Sequence, residues 1–113
     1  MIIFSDDFYD KLYIWHIYMK KVKFEWDAGN ETKSYTKHGV SNLEAESVFQ
    51  DVQRIDFYDP LHSRKENRLI TLGKSNRDRI MFIAWTLRTH KVRIISVRPA
   101  SKKERGIYEE KNK

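Results

Sequence analysis

The sequence predicts an α+β fold: an antiparallel β-sheet of about four strands with two N-terminal helices packed on it and a C-terminal helix after the last strand. Three observations carry this. Between Arg68 and Val97 come three apolar runs rich in branched and aromatic residues, each short enough for a strand. Ahead of them lie two stretches with helix start and stop signals, and behind them Ser101 and Glu104 stand at capping-box spacing.

Met1 to Tyr18 is apolar and aromatic but is broken by Asp6, Asp7, Asp10 and Lys11, and it has no basic start and no small-residue cleavage site. That excludes a signal peptide and a membrane-spanning helix. Met19-Lys20-Lys21 reads as a natural beginning, so residues 1–18 are expected to be an N-terminal extension outside a single domain spanning 19–113. The competing assignment is an extra helix packed on the sheet.

Val22, Phe24 and Trp26 alternate with Lys23 and Glu25, the pattern of an edge strand with one buried face. Asp27 or Asn30 can cap a helix running to His38, and Gly39 suits its left-handed stop. Ser41 and Glu44 form a capping box, and Val40 can staple onto Ala45. A second helix is therefore expected from Asn42 to Phe49, burying Leu43, Val48 and Phe49 in part. Asp51 to Leu61 reads as a short strand leading into a loop.

Arg68 to Leu72 is a strand closing at Gly73, and Val92 to Val97 is another. Ile80 to Trp85 is apolar without alternation, as expected of a central strand covered on both faces. Strand periodicity puts Arg93 and Arg98 on opposite faces unless a bulge intervenes. Ser101 and Glu104 open the C-terminal helix, whose exposed turns carry Lys102, Lys103 and Arg105.

The 113 residues suffice for one core, with 40% apolar and 13% aromatic residues to fill it. No cysteine is present, which excludes a disulfide framework, a thiolate metal site and a cysteine nucleophile, and is consistent with the cytosol. Net charge is +6, unevenly spread: residues 1–60 hold 7 Lys or Arg against 11 Asp or Glu, residues 61–113 hold 15 against 5. A half that basic tends to meet a polyanion, nucleic acid first among them; the plain alternative is a well-solvated basic protein.

The pieces FEWD (Phe24 to Asp27), KHGVS (Lys37 to Ser41), VFQD (Val48 to Asp51), HS...E.R...LG (His62 to Gly73) and RIISVR.A...ER..YEE (Arg93 to Glu110) resemble, in order and spacing, the BrnT family of toxins from type II toxin-antitoxin modules. Each piece is a weak motif, but the series covers about Val22 to Glu110. The sequence departs from the family pattern at Ala28 (proline usual), Asn30 (lysine), Ser34 (asparagine), Val52 (proline) and Asp78 (glycine). With Asp78 in place of glycine, the hairpin Lys74 to Asp78 is left to rely on Asn76 for any positive φ. The resemblance implies a RelE-like ribonuclease fold and RNA as substrate. It also implies a cognate BrnA-like antitoxin encoded alongside, and promoter DNA bound only through the toxin-antitoxin complex. No membrane partner is expected.

RNA carries its own nucleophile, the 2′-hydroxyl. A small nuclease must deprotonate it, stabilise charge on the phosphorane and protonate the leaving 5′-oxygen, tasks that need no metal or other cofactor. Guanidinium groups suit the second task, and His and Glu the proton transfers. The catalytic candidates are accordingly His62 and Glu66 as acid-base pair and Arg68 and Arg79 as phosphate or transition-state partners. The RNA-binding candidates are Lys37, His38, Arg93, Arg98 and Tyr108. Several have structural rivals. His62 with Ser63 can cap a turn, Glu66 can pair with Arg68 or Lys65, and His38 can serve a helix C-terminus. Arg98 can brace Glu104 or Tyr108, and Tyr108 can pack on the sheet. No metal ligands are expected: His16, His38, His62 and His90 are scattered, with no pair at ligand spacing. The leading function is a metal-independent endoribonuclease toxin that inhibits translation. Its rivals are a non-catalytic basic RNA- or DNA-binding module and an antitoxin-binding interaction subunit.

Overall fold

The run of apolar residues from Ile80 continues as one strand to Arg88, and it occupies the middle of the sheet because both its faces can be buried. The computed structural model describes residues 22–63 and 65–113, so the expectations for residues 1–18 lie outside the described residues. In chain order the elements are β1 (Lys23–Phe24), α1 (Lys33–His38), α2 (Asn42–Ser47), β2 (Ile55–Tyr58), β3 (Leu69–Lys74), β4 (Ile80–Arg88), β5 (Lys91–Pro99) and α3 (Lys102–Lys111). Short 3-10 turns follow α2 at Val48–Gln50 and β2 at Pro60–His62.

The fold is α+β, with a sheet of five strands in the order β1-β5-β4-β3-β2 rather than about four. It is also mixed: β1 runs parallel to β5, while every other neighbouring pair is antiparallel. The Val22 to Trp26 alternation does make an edge, but only Lys23 and Phe24 pair. Beyond them Glu25 N donates to Val92 O at 2.8 Å, and the chain then turns away.

One face of the sheet packs Val40, Ala45, Val48 and Phe49 against Leu69, Met81, Ile83, Trp85, Val92, Ile94 and Val97. Phe49 and Trp85 meet edge to face at 5.3 Å, and burying each such side chain contributes about 1.5–3 kcal/mol. Leu43 does not join them; it is 75% exposed, because with Glu44, Ala45 and Val48 turned to the core the helical period puts Leu43 on the outer side of α2. The opposite face packs Tyr108 and Ile107 of α3 on Ile55, Phe57, Leu72, Ile80 and Phe82. Asp51 ties this helix down: its Oδ2 accepts from Tyr108 Oη at 2.7 Å and from Lys74 N at 2.8 Å.

Several local expectations are met and others are redirected. Gly39 stops α1 at φ 67°, and the capping box of α3 is complete, with both Ser101 and Glu104 engaged. At α2 only half a box forms: Ser41 Oγ accepts from Glu44 N at 3.1 Å, but the Glu44 side chain turns inward. α1 starts later than expected, at Lys33 after an uncapped Thr32, and buries no residue on the sheet. Instead Asn30 is itself buried, donating to Glu25 O and to Ile94 O at 2.9 Å each, which stitches the chain after β1 onto β5. Ser34 Oγ accepts from Val97 N at 3.2 Å, so two positions that depart from the family pattern tie this segment to the sheet. In the β3-β4 hairpin the positive φ, 62°, falls on Asp78 itself and not on Asn76.

A bulge decides the geometry of β5. Ala84 pairs with Ser96 and Trp85 with Ile94, which leaves Ile95 without an opposite residue. Val92, Ile94 and Val97 consequently share the core face, and Arg93 and Arg98 share the other, against simple strand alternation. No helix among the described residues is long and apolar enough to cross a membrane.

Candidate functional site

Because α3 crosses only the end of its face near Leu72, Ile80 and Phe82, the other end of that face is left to charged side chains. Arg93 lies opposite Thr86 in the β4-β5 pairing. Arg68 immediately precedes the Leu69 to Trp85 pair, so it comes level with Thr86 from the other side, where Thr86 Oγ1 donates to Asn67 O at 2.7 Å. Residues level with one another across a sheet share a face, and strands lie about 4.8 Å apart, so Arg68 and Arg93 begin about 10 Å apart. Arg88, two residues beyond Thr86, projects from the same face of the middle strand.

These arginines differ in what holds them. Arg93 donates to Glu25 Oε1 at 2.9 Å and to Asp27 Oδ2 and Oδ1 at 2.8 and 3.1 Å. Arg88 grips Glu66 with two hydrogen bonds, 2.9 and 3.0 Å, and lies 3.8 Å from Glu25. A row of alternating charge, Glu66, Arg88, Glu25, Arg93 and Asp27, thus runs across β4 and β5 and the loops beside them. The Arg68 guanidinium has no hydrogen-bond or ion-pair partner among the described residues; its backbone N donates to Ser63 Oγ at 2.9 Å.

Arg68 opens instead onto a depression of about 440 Å³ that it lines with Leu61, His62, Lys65 and Glu66. The Pro60–His62 turn and Ser63, whose Oγ donates to Asp59 O at 2.5 Å, fold this loop back on the start of β3. His62 Nδ1 lies 2.8 Å from Asp59 Oδ2, with its side chain 61% exposed. A carboxylate on one ring nitrogen orients the imidazole and leaves the other nitrogen for a substrate. The Arg88 guanidinium holds the Glu66 carboxyl below its usual range, with burial opposing this more weakly. Glu66 is therefore an anion near neutral pH, able to accept a proton but poorly suited to donate one. Asp27 is likewise lowered, first by its hydrogen bond with Arg93 and then by the Gly29 N–H.

The structure thus brings together His62, Glu66 and Arg68, with Arg93 farther along the same face. It places the other candidates elsewhere. Arg79 projects toward α2, where Nε and Nη2 grip the buried Glu44 carboxylate, itself bonded to Ser75 Oγ at 2.7 Å. Arg98 lies over the Phe82 ring at 4.1 Å and pairs with Glu104 at 2.7 and 3.0 Å, which is the brace to the helix. Tyr108 is 5% exposed, with no open ring face for a base, and burial followed by the Asp51 hydrogen bond pushes its hydroxyl pKa far up. Lys37 and His38 form the last turn of α1, exposed and half-buried respectively, beside Gly39 O, to which Arg79 donates at 3.4 Å. Arg88 was not singled out from the sequence, and Glu25, Asp27 and Lys65 were given other roles there and not counted among the site candidates. Arg88 was legible in principle as an even-numbered neighbour of Thr86 on a longer β4, but the apolar run ends at Trp85 and hides how far the strand continues. Among the described residues no three His, Asp or Glu side chains gather to hold a metal ion.

Comparison with curated proteins finds no match to this chain. Comparison with protein families matches residues 26–104, which include Arg68, Arg88, Arg93 and the whole depression, to the family described as ribonuclease toxin, BrnT, of type II toxin-antitoxin system. With β2 to β5, the helix starts at Ser41 and Ser101 and the arginines Arg68, Arg88 and Arg93 all inside that match, the chain belongs to the BrnT family of type II toxin-antitoxin ribonuclease toxins.

Proposed function

We propose that this chain is a metal-independent endoribonuclease of RelE-like architecture, one that cleaves RNA through the substrate's own 2′-hydroxyl and thereby inhibits translation in the cytoplasm. The observation that carries the reading is the Arg68 guanidinium, without a partner among the described residues, opening on a depression that also holds His62 and Glu66. A phosphodiester seated there meets a fixed fork of donors for its non-bridging oxygens and an imidazole for proton transfer. The ionised Glu66 lies within the same depression as a proton acceptor once Arg88 releases it. The chemistry calls for no ion: the nucleophile is in the RNA, and charge on the phosphorane is met by arginine.

The family implies an antitoxin partner. We infer a cognate BrnA-like protein encoded next to this chain, with an acidic contacting segment for the basic half of the molecule and its own DNA-binding part. Promoter binding is then a property of the complex, and the purified toxin alone should fail to bind that DNA specifically.

A non-catalytic RNA-binding module is the second reading, favoured by the capture of Glu66 by Arg88. Incubating the pure protein with RNA in EDTA separates them. The enzyme yields fragments with 2′,3′-cyclic phosphate or 3′-phosphate and 5′-hydroxyl ends, blocked by 2′-deoxy substitution at the scissile position. The module leaves intact RNA shifted on a gel. Ends bearing 5′-phosphate, or activity that EDTA abolishes and a divalent ion restores, overturn the mechanism. His62→Ala should lower the rate by about 10².

A further inference from the structure

We propose that Arg88 is a phosphate-contacting residue of the RNA face, and that Glu66 masks it in the free protein. The inference rests on the ribonuclease reading for its substrate class, but its own basis is geometric. Arg88 ends the middle strand two residues beyond Thr86, which lies level with Arg93 of β5 and with Arg68 just before β3, so the three side chains leave one face of the sheet. It borders the depression through Glu66, which lines that depression together with Arg68.

Arg88 is held more loosely than the arginines that brace the fold. Its side chain is 46% exposed and Glu66 is 34% exposed, whereas the carboxylate that Arg79 grips is 1% exposed. An ion pair that wet contributes little to stability and exchanges readily, so a phosphate can replace the carboxylate with the same two-pronged geometry. The strand end is also fixed in place. Arg88 pairs with Lys91 across a two-residue hairpin whose Thr89 and His90 have φ of 50° and 64°. A non-glycine pair in that conformation is strained, and Arg88 is placed by its strand pairing with Lys91 rather than carried on a loop. When phosphate takes the guanidinium, the Glu66 carboxylate is released beside His62 and Arg68, so RNA binding itself frees a proton acceptor in the depression.

The test uses a fully 2′-O-methylated RNA oligonucleotide, which cannot be cleaved, titrated with the full-length chain at several salt concentrations. Arg88→Ala should weaken binding about tenfold and lower the salt slope by about one. Glu66→Gln should tighten binding by about threefold, and that gain should vanish in the Arg88→Ala background. A merely structural pair predicts something else: both variants lose the same contact, so both shift melting temperature alike and move affinity in the same direction or not at all. That result overturns the proposal, as does an Arg88→Ala variant that binds like the native chain. If the native chain binds this RNA yet leaves unmodified RNA intact, the cleavage reading falls while the Arg88 assignment stands. If it cleaves and Arg88→Ala binds unchanged, the assignment alone falls.

Discussion

Arg79 reaches from the start of β4 to the carboxylate of Glu44, a residue that caps nothing and instead lies buried beneath α2 with Ser75 and Arg79 as its partners. The pair joins the helical layer to the β3-β4 hairpin across 35 residues of sequence. Removing Arg79 leaves the Glu44 carboxylate, 1% exposed, without its counter-charge.

Arg79→Ala should therefore lower stability by about 2–4 kcal/mol in denaturant unfolding, while cleavage per folded molecule falls less than about tenfold. A loss of about 10² in rate with unchanged melting temperature would return Arg79 to the catalytic set.

The same pair sets an acid limit. Arg79 lowers the Glu44 carboxyl below its ordinary value of 4.5, so the folded state binds this proton less readily than the unfolded chain. The stabilisation is complete above about pH 4.5 and is lost as pH falls through the depressed folded-state value. Glu44→Gln should flatten that acid limb in melting temperature measured from pH 6 to pH 2, and an unchanged slope would assign the limb to other carboxylates.

Arg68 should behave in the opposite way to Arg79. With no side-chain hydrogen bond or ion pair among the described residues, Arg68→Ala should leave the melting temperature within experimental scatter and cut single-turnover cleavage by about 10².

Gly73 is expected to resist substitution. A Cβ there would stand 2.8 Å from Val48 Cγ1 and 3.0 Å from Arg54 Cβ, with backbone and core behind both. Gly73→Ala should cost about 1–3 kcal/mol through overpacking, read as a lower midpoint in urea; a neutral result would mean that Val48 moves aside freely.

The β4-β5 turn offers a gain instead. Thr89 and His90 both carry positive φ, which a branched residue tolerates badly, so the double substitution Thr89→Asn, His90→Gly should stabilise the fold by about 1 kcal/mol. Thermal melts check this, and a fall in melting temperature would show that the native side chains hold the turn by contacts of their own.

The sequence by itself determined what near neighbours decide. Branched and aromatic runs placed β3, β4 and β5, Ser41 and Ser101 marked helix starts, and Gly39 marked a stop, because strand pairing and capping act over two to four residues. His62, Glu66 and Arg68 were legible together for the same reason, since they lie within one short loop at the edge of one depression. Tertiary structure alone decided the rest. Glu44 reads as the second half of a capping box, yet an arginine 35 positions away outcompetes a backbone N–H for it, since an ion pair shielded from water is stronger. The bulge at Ile95 put Arg93 and Arg98 on one face, and nothing in the local pattern of β5 reveals it, because it exists only against the register of β4. Which arginine is braced by a carboxylate depends on distant parts of the chain: Glu25 and Asp27 hold Arg93, Glu66 holds Arg88, and none among the described residues holds Arg68.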